Sequence, residues 1–215
     1  VDFVDATDVR NVEAALKPET RWTTLLPPSA LQGNRHNPFP IENRECWKFL
    51  RLNIFPDGGI ARLRVWGDVR PDWHKIGVRR IDLFAVEHGG VSLIANDQHY
   101  GQIGNLNRPG RGINMGDGWE TRRRREPGYD WAVLRLGRPG TIEEVEVDTA
   151  HFRGNFPDRV SLQAALIDDI ATEALENASA TWPLLLPEQP VRADHEHRFK
   201  SQLTHLGPVS HVRLN

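Results

Sequence analysis

The sequence predicts an all-β fold of tandem β-sandwich domains with few short helices. Short segments of alternating apolar and polar residues recur along the 215 residues, and 18 glycines and 15 prolines supply turns between them. Helix signals are confined to two short segments, 8–16 and 168–178. An internal repeat indicates that the sandwich occurs twice.

Alternation predicts the strands, and glycine-rich stretches predict the turns that join them. The Pro-Asp-Gly-Gly sequence at 56–59 predicts a hairpin between the first two strands. The stretch 137–140 predicts a second hairpin between the fourth and the fifth. The predicted strands cover residues 47–55, 60–66, 91–95, 130–136, 142–147 and 160–165.

The repeat is visible in matched segments that follow one another in the same order. Residues 22–27 return as 182–187 at an offset of 160, and residues 50–53 return as 212–215 at an offset of 162. The period is therefore about 160 residues, so the chain holds one full period and the start of another.

The repeat and a polar, aperiodic stretch that contains Pro71 together predict the domain organisation. We expect residues 1–67 to be the C-terminal half of a first repeat domain whose N-terminal half is absent from this sequence. Residues 68–85 are a predicted linker. Residues 86–215 are the predicted second repeat domain, lacking its last strand hairpin, because the first copy continues into residues 54–65 after the matched segment.

Composition narrows the class of function. The 27 basic and 29 acidic residues give a net charge of -2, which gives no general attraction to nucleic acid or to an anionic membrane. The apolar runs are far shorter than the ~20 residues that span a bilayer. Cys46 is the single cysteine, so no intrachain disulfide forms, which is consistent with a reducing compartment. We therefore expect a cytoplasmic protein that binds neither nucleic acid nor a membrane.

Three polar segments are candidates for a functional site. Residues 110–125 are rich in glycine and arginine and carry two carboxylates; the alternative is a long loop with a solvated basic run. Residues 148–157 follow a predicted strand and carry Asp, His and Asn, on a loop of the kind that builds sites at the end of a sheet. Asp97 and His99 share one side of an extended chain. Each histidine is a possible metal ligand or proton shuttle, or a structural residue held by hydrogen bonds.

Three long motifs resemble the allantoicase family. They are RLNIFPDGGIARLRVWG at 51–67, NLNRPGRGINMGDGWETRRRR at 105–125 and PGYDWAVLRLGRPGTIEEVEVDTAHFRGNFPDRVSLQAA at 127–165. The resemblance implies two jelly-roll, galactose-binding-like β-sandwich domains in tandem, which accounts for the repeat. It also implies a homo-oligomeric enzyme that hydrolyses allantoate to ureidoglycolate and urea in purine (allantoin) degradation. Tyr129 is a departure, because the family usually has His in a PGHDW motif.

The resemblance suggests roles for the polar residues, since allantoate carries one carboxylate and two ureido groups on one carbon. Arginine forks suit the carboxylate, and a carboxyl group would protonate the leaving urea or activate water. A divalent metal is possible, although no cofactor is certain and no metal ligands are assigned. The rival hypothesis is a non-catalytic ligand-binding sandwich or a diverged, inactive relative. The predicted catalytic residues are Asp117, Glu120, His151 and Asp148, and the predicted substrate-binding residues are Arg122, Arg123, Asn155, Asp97 and His99.

Overall fold

The computed structural model describes residues 2–5, 12–77, 80–168 and 170–215, and it divides into two compact units, up to Trp66 and from Gly67. Antiparallel strands dominate both units, and the helices are short, so the all-β prediction is confirmed. No helix within the described ranges is long and apolar enough to cross a membrane.

The first unit contains a three-stranded antiparallel sheet and one short helix. The strand order is β2-β1-β3, with β1 in the middle. Half-buried Trp22 and Phe49 pack on Ala15 of the helix. The elements are β1 (Asp2–Asp5), α1 (Val12–Ala15), β2 (Thr23–Thr24) and β3 (Trp47–Arg51).

The second unit contains a five-stranded sheet, in the order β4-β5-β10-β7-β8, and a separate pair, β6 and β9. Its α-helices are α2 (Trp73–Ile76) and α3 (Thr172–Ser179). Its strands are β4 (Val91–Ala95), β5 (Ala132–Thr141), β6 (Val145–Asp148), β7 (Arg159–Ala165), β8 (Leu184–Pro190), β9 (Glu196–Phe199) and β10 (Pro208–Leu214).

The core of the second unit lies on both faces of the five-stranded sheet. On one face, Val160, Leu186 and Val212 pack with Phe199 and Val147 from the β6–β9 pair, so the two sheets share one apolar layer. On the other face, Val133 of β5 and Leu175 of α3 form a second cluster with Trp131 and Trp182, which lie just before β5 and β8. The alternation within β7 produces this arrangement, because successive side chains point to opposite faces of a sheet.

The internal repeat is also present in the topology. A shift of 160 places β1 on residues 162–165 of β7, and a shift of 162 places β3 on residues 209–213 of β10. The order β2-β1-β3 in the first unit therefore matches β8-β7-β10 in the second, and the helix after the first strand recurs as α3. The matched sequence segments and the matching strand orders therefore describe the same repeat.

The two predicted hairpins were wrong. Residues 60–66 form no strand in the described part of the chain, and Val65 and Trp66 are exposed, so the alternating pattern lacks the ladder that a strand needs. Strand β5 continues through 137–140, and it pairs with β4 and β10, whereas β6 pairs with β9. Gly137 is needed for close packing, because a Cβ there would collide with the His88 carbonyl.

The predicted strands at 91–95 and 160–165 are confirmed as β4 and β7. Of the predicted helix 8–16, residues 8–11 lie outside the described residues, and the described part is helical over Val12–Ala15. Of the predicted helix 168–178, residue 169 lies outside them, and α3 spans Thr172–Ser179.

Candidate functional site

The three predicted segments meet along residues 110–125. On one side, residues 97–101 pack against 119–122: the Trp119 Nε1–H donates to the Asp97 carbonyl at 2.8 Å, and Arg122 Nε donates to Asp97 Oδ2 at 2.8 Å. The backbone N–H groups of Tyr100 and Gly101 both donate to the Glu120 carbonyl, at 3.1 and 3.0 Å. Residues 97–101 therefore support the segment 110–125.

On the other side, residues 148–155 contact 110–125 at three points. Arg111 binds both carboxylate oxygens of Asp148, at 2.8 and 3.2 Å. His151 Nε2 lies 2.8 Å from the Gly112 carbonyl oxygen. Asn155 Nδ2 donates to Glu120 Oε1 at 2.6 Å. These three contacts join two loops that are separated by more than twenty residues in sequence.

The charge of Asp97 is held by its neighbours. Burial opposes ionisation of this carboxyl, but hydrogen bonds from the Arg122 guanidinium and from the backbone N–H groups of His99 and Arg122 outweigh it and lower its pKa to about 2. Asp97 therefore stays an anion at neutral pH and orients Arg122. This ion pair uses Nε of the Arg122 guanidinium, and the Arg122 side chain is 67% exposed.

Asp148 is an anion for a similar reason. Its hydrogen bonds with the Arg111 guanidinium lower its pKa below the usual value, against the effect of burial. The fork geometry uses two donors of one arginine, which fixes direction as well as charge. Asp148 thereby joins the end of β6 to the loop at Arg111.

Glu120 is half-buried and contacts residues 100–101 on one side and Asn155 on the other. One carboxylate oxygen accepts the Asn155 amide, and its backbone carbonyl accepts Tyr100 and Gly101. Gly101 is required for this close approach, because a Cβ there would lie 2.7 Å from the Glu120 backbone nitrogen. The position of Glu120 is therefore set by backbone contacts on one side and by Asn155 on the other.

His151 has an uncommon backbone conformation for a non-glycine residue, with φ of 69°. Its ring nitrogen Nε2 faces the Gly112 carbonyl, and a carbonyl oxygen only accepts hydrogen bonds, so Nε2 carries a proton. The neutral ring then presents the lone pair of Nδ1. This nitrogen is a suitable proton acceptor.

The remaining predicted residues have different surroundings. Asp117 Oδ2 accepts the Ile113 N–H at 2.8 Å, next to the short 3-10 helix Met115–Asp117. Within the described residues, Arg123 forms no hydrogen bond or ion pair, and it is exposed. The His99 ring packs edge-on against Tyr100, at 4.5 Å between centroids.

A large open cleft of about 3100 Å³ in the second unit brings most of these residues to one surface. Small-molecule pockets are typically about 300–1,000 Å³, so a ligand would occupy only part of it. Neither Asp97 nor His99 lines the cleft, which separates these two from the other candidates. The predicted residues that line it are Asp117, Glu120, Arg122, Arg123, Asp148, His151 and Asn155.

Metal ligation has no preformed cluster here. Among the described side chains, no group of three or more His, Cys, Asp or Glu residues is placed to hold one ion. Asp97 and Asp148 are the carboxylates nearest in sequence to His99 and His151. Each is already paired with an arginine, Asp97 with Arg122 and Asp148 with Arg111.

Sequence reasoning missed two residues that organise this surface. Arg111 lies inside the glycine-rich segment, yet its partner Asp148 is 37 positions away, so only the fold reveals the pair. Asp194 donates its backbone N–H to Phe152 and accepts the N–H of His151. No sequence pattern distinguishes it from other acidic residues on loops.

Tyr129, the departure from the family motif, is 59% exposed and faces buried Arg213. The Arg213 guanidinium stacks on Trp131 at 4.4 Å and donates to Ser179 Oγ at 2.8 Å and to Asn215 Oδ1 at 2.8 Å. Burial lowers the pKa of Arg213, and the contact with Tyr129 opposes that fall. Arg213 thus connects β10 to α3 behind the Tyr129 ring.

Fold and cleft together define a repeat protein of antiparallel sheets whose polar site is built on loops. The family model described as the allantoicase repeat matches residues 2–70 and 81–215. Two matched segments agree with the internal repeat. The chain belongs to the allantoicase family.

Curated relatives and solved structures carry the same family name. The chain is 52% identical over 195 residues to "Probable allantoicase 2" of Burkholderia mallei, covering 90% of this chain and 58% of that protein. It is 52% identical over 197 residues to "Probable allantoicase" of Pseudomonas paraeruginosa, covering 91% and 59%. A crystal structure of allantoicase from Saccharomyces cerevisiae matches at 43% identity and a TM-score of 0.53, covering 62% of this chain and 38% of that one. The chain thus spans about three fifths of the length of these curated relatives.

Proposed function

We propose that this protein hydrolyses allantoate to ureidoglycolate and urea. Family membership supports the reaction, and one observation supports the location: Glu120, His151 and the arginines at 122 and 123 line one cleft, with their loops joined by three direct contacts. A carboxyl group, an imidazole and free guanidinium nitrogens are the groups that this substrate needs.

The substrate carboxylate binds the terminal nitrogens of Arg122, and Arg123 adds a second positive charge. Asp97 supports this contact, because its ion pair holds Nε of Arg122 at 2.8 Å while most of the Arg122 side chain is exposed to solvent. The ureido groups offer amide donors and carbonyl acceptors, which suit Asn155 and the exposed backbone of 110–118.

Proton transfer is divided between Glu120 and His151. Glu120 in its acid form protonates the leaving nitrogen as the C–N bond breaks, and the bond electrons go to the departing urea. The remaining ureido nitrogen donates its lone pair to the same carbon and forms a C=N bond. Water then adds to that carbon, its proton passes to Nδ1 of His151, and ureidoglycolate results.

Asp148 is a support in this scheme, as is Asp97. Each carboxylate is paired with an arginine that lowers its pKa, and a carboxylate held as an anion is a poor proton donor at neutral pH. Asp117 holds the turn of the glycine-rich loop through the Ile113 N–H.

Urea release from allantoate, measured on this chain, tests the proposal. Glu120→Gln keeps size and hydrogen bonding but loses the acid, so we expect kcat to fall about 10²–10⁴-fold. Glu126→Gln, directly after the segment 110–125 and exposed, is the matched control and is expected to keep full activity. Full turnover by Glu120→Gln would remove Glu120 from proton transfer. A parallel assay with a chelator, followed by divalent ions, decides whether a metal takes part.

Binding without turnover is the second candidate function, favoured by Tyr129 in place of the family's His. In that case calorimetry detects saturable allantoate binding by the folded chain, while urea release stays at the background rate. Tyr129→His separates the two, because restored turnover identifies the substituted position as the cause.

We further infer a cytoplasmic homo-oligomer. The single cysteine, Cys46, is free and exposed, which suits a reducing compartment. The oligomer rests on the family resemblance alone. Light scattering on the purified chain measures its mass directly, and a mass of one chain at assay concentration would contradict it.

A further inference from the structure

Two left-handed non-glycine residues face each other beside the candidate site. His151 has φ of 69° and Asp194 has φ of 49°. The His151 N–H donates to Asp194 Oδ1 at 2.8 Å, and the Asp194 N–H donates to the Phe152 carbonyl at 3.2 Å. Side chains with a Cβ adopt this conformation at a cost, so the surrounding contacts must hold it.

The segment 192–195 makes further contacts with the loop that carries His151. The Thr149 N–H donates to the His195 carbonyl at 3.0 Å, and Thr149 Oγ1 lies 2.5 Å from the Arg192 carbonyl. Thr149 is only 4% exposed, so these hydrogen bonds are shielded from water. Arg153 Nε donates to the second carboxylate oxygen of Asp194 at 3.2 Å.

These contacts decide where the His151 ring points. The His151 ring contacts the Gly112 carbonyl from a left-handed backbone, and Asp194 Oδ1 accepts the N–H of that backbone. The same hydrogen bond from His151, with help from Arg153, lowers the pKa of Asp194, so its carboxylate is present as an acceptor at neutral pH. The Gly112 contact keeps the proton on Nε2 and the lone pair on Nδ1.

We propose that Asp194 is a positioning residue for the hydrolysis: it fixes the conformation of His151 and thereby selects the ring form whose Nδ1 accepts the proton of water. The proposal rests on the proposed function for its effect on turnover. Asp194 does not line the cleft, whereas His151 does, so Asp194 acts through His151 and has no direct contact with substrate.

Asp194→Gly tests this with little disturbance of the fold. Glycine accepts the left-handed backbone at 194 freely, so the variant removes the carboxylate alone. Asp194→Asn is the rescue variant, because asparagine keeps the Oδ1 acceptor and tolerates this conformation. Asp68→Gly is the control, because Asp68 is exposed and does not line the cleft. If Asp194→Gly does not fold at about 25 °C, the same two readouts are taken at about 10–15 °C, where folded proteins are usually most stable.

Two readouts are needed, on the 215-residue chain labelled with ¹⁵N-histidine. The ring nitrogens of His151, assigned by a His151→Gln variant, report which nitrogen carries the proton. We expect Nε2–H in the parent, in Asp194→Asn and in the control, and loss of this single form in Asp194→Gly. With allantoate, we expect kcat of Asp194→Gly to fall about 10–100-fold while KM changes less than about threefold, because misplacing a catalytic group by about 1 Å has an effect of this size.

A purely structural role predicts a different pattern. It would lower the folded fraction and leave kcat per folded molecule and the ring form unchanged, and that result overturns the proposal. An unchanged ring form in Asp194→Gly overturns it as well. If the ring form changes and no protein in the series releases urea, the positioning role of Asp194 stands and the proposed reaction fails.

Discussion

Replacing Asp97 with asparagine removes one negative charge and keeps the side-chain shape. In the native protein Asp97 accepts hydrogen bonds from the His99 N–H, the Arg122 N–H and Arg122 Nε, at 2.9, 3.1 and 2.8 Å. In Asp97→Asn one amide orientation keeps the two backbone bonds, but an NH₂ group then faces the guanidinium. We therefore expect a loss of stability and a loosened Arg122.

The magnitude follows from the pKa of Asp97, which falls from 3.8 to about 2. Each pKa unit corresponds to about 1.36 kcal/mol, so the upper limit is about 2.4 kcal/mol. The Arg122 side chain is 67% exposed, and solvent screening reduces the value, so we expect about 1–2 kcal/mol at neutral pH. Because the folded-state pKa lies below the unfolded value, this stabilisation is full above about pH 5 and disappears as pH falls toward 2.

Urea unfolding at pH 7 and at several acidic pH values measures the difference between the parent and Asp97→Asn. The gap should narrow steadily on acidification. Asp158→Asn is the control, since its carboxylate is 81% exposed and its pair with Arg159 should contribute little. Under the proposed function, the KM for allantoate should rise about tenfold as Arg122 loses its support. An equal gap at pH 7 and pH 3, or an effect no larger than that of Asp158→Asn, would refute the reasoning.

Three other changes have defined outcomes. Gly101→Ala places a Cβ within 2.7 Å of the Glu120 nitrogen, so it should lower the free energy of unfolding by about 1–3 kcal/mol and remove most of the activity. Gly154→Ala is the control and should change neither, because a Cβ at 154 has no atom within 4 Å. Thermal unfolding and urea release measure both variants. Arg213→Ala leaves Ser179 Oγ without its donor and removes the stacking on Trp131, so denaturant unfolding should show a loss of about 3 kcal/mol, and a loss below about 1 kcal/mol would contradict it. Asn155→Ala frees Glu120 Oε1 and should lower kcat about tenfold with unchanged unfolding, as steady-state kinetics will show.

Local patterns were a good guide where a strand is paired on both sides or packs on the core. Residues 91–95 and 160–165 alternate, and both segments are strands with buried partners. The same pattern at 60–66 failed, because alternation states which face would be buried and not whether a neighbouring strand is present. The glycines at 137–140 were ambiguous for a similar reason, because glycine occurs both in turns and where two backbone segments pack closely, and the sequence does not distinguish the two cases.

The candidate site was partly accessible from sequence. Residue types predicted three candidate polar segments, and the fold places seven of the nine predicted side chains on one cleft. The exceptions, Asp97 and His99, stand behind it. The proposed roles depend on contacts that the sequence does not reveal: Asp97 and Asp148 are paired with arginines 25 and 37 positions away, and on this ground we propose them as supports and Glu120 as the acid.

By itself the sequence determined the all-β class, the period of the repeat, the family and the polar segments, because these depend on composition, alternation and matched motifs along the chain. Only the tertiary structure decided which strands pair, that β6 pairs with β9 and not with β5, and that Arg111, Asn155 and Asp194 contact Asp148, Glu120 and His151. The physical reason is the separation in sequence between the groups that interact. Strand patterns and turns arise between neighbours in sequence, whereas an ion pair or a left-handed histidine is held by groups that only folding brings together.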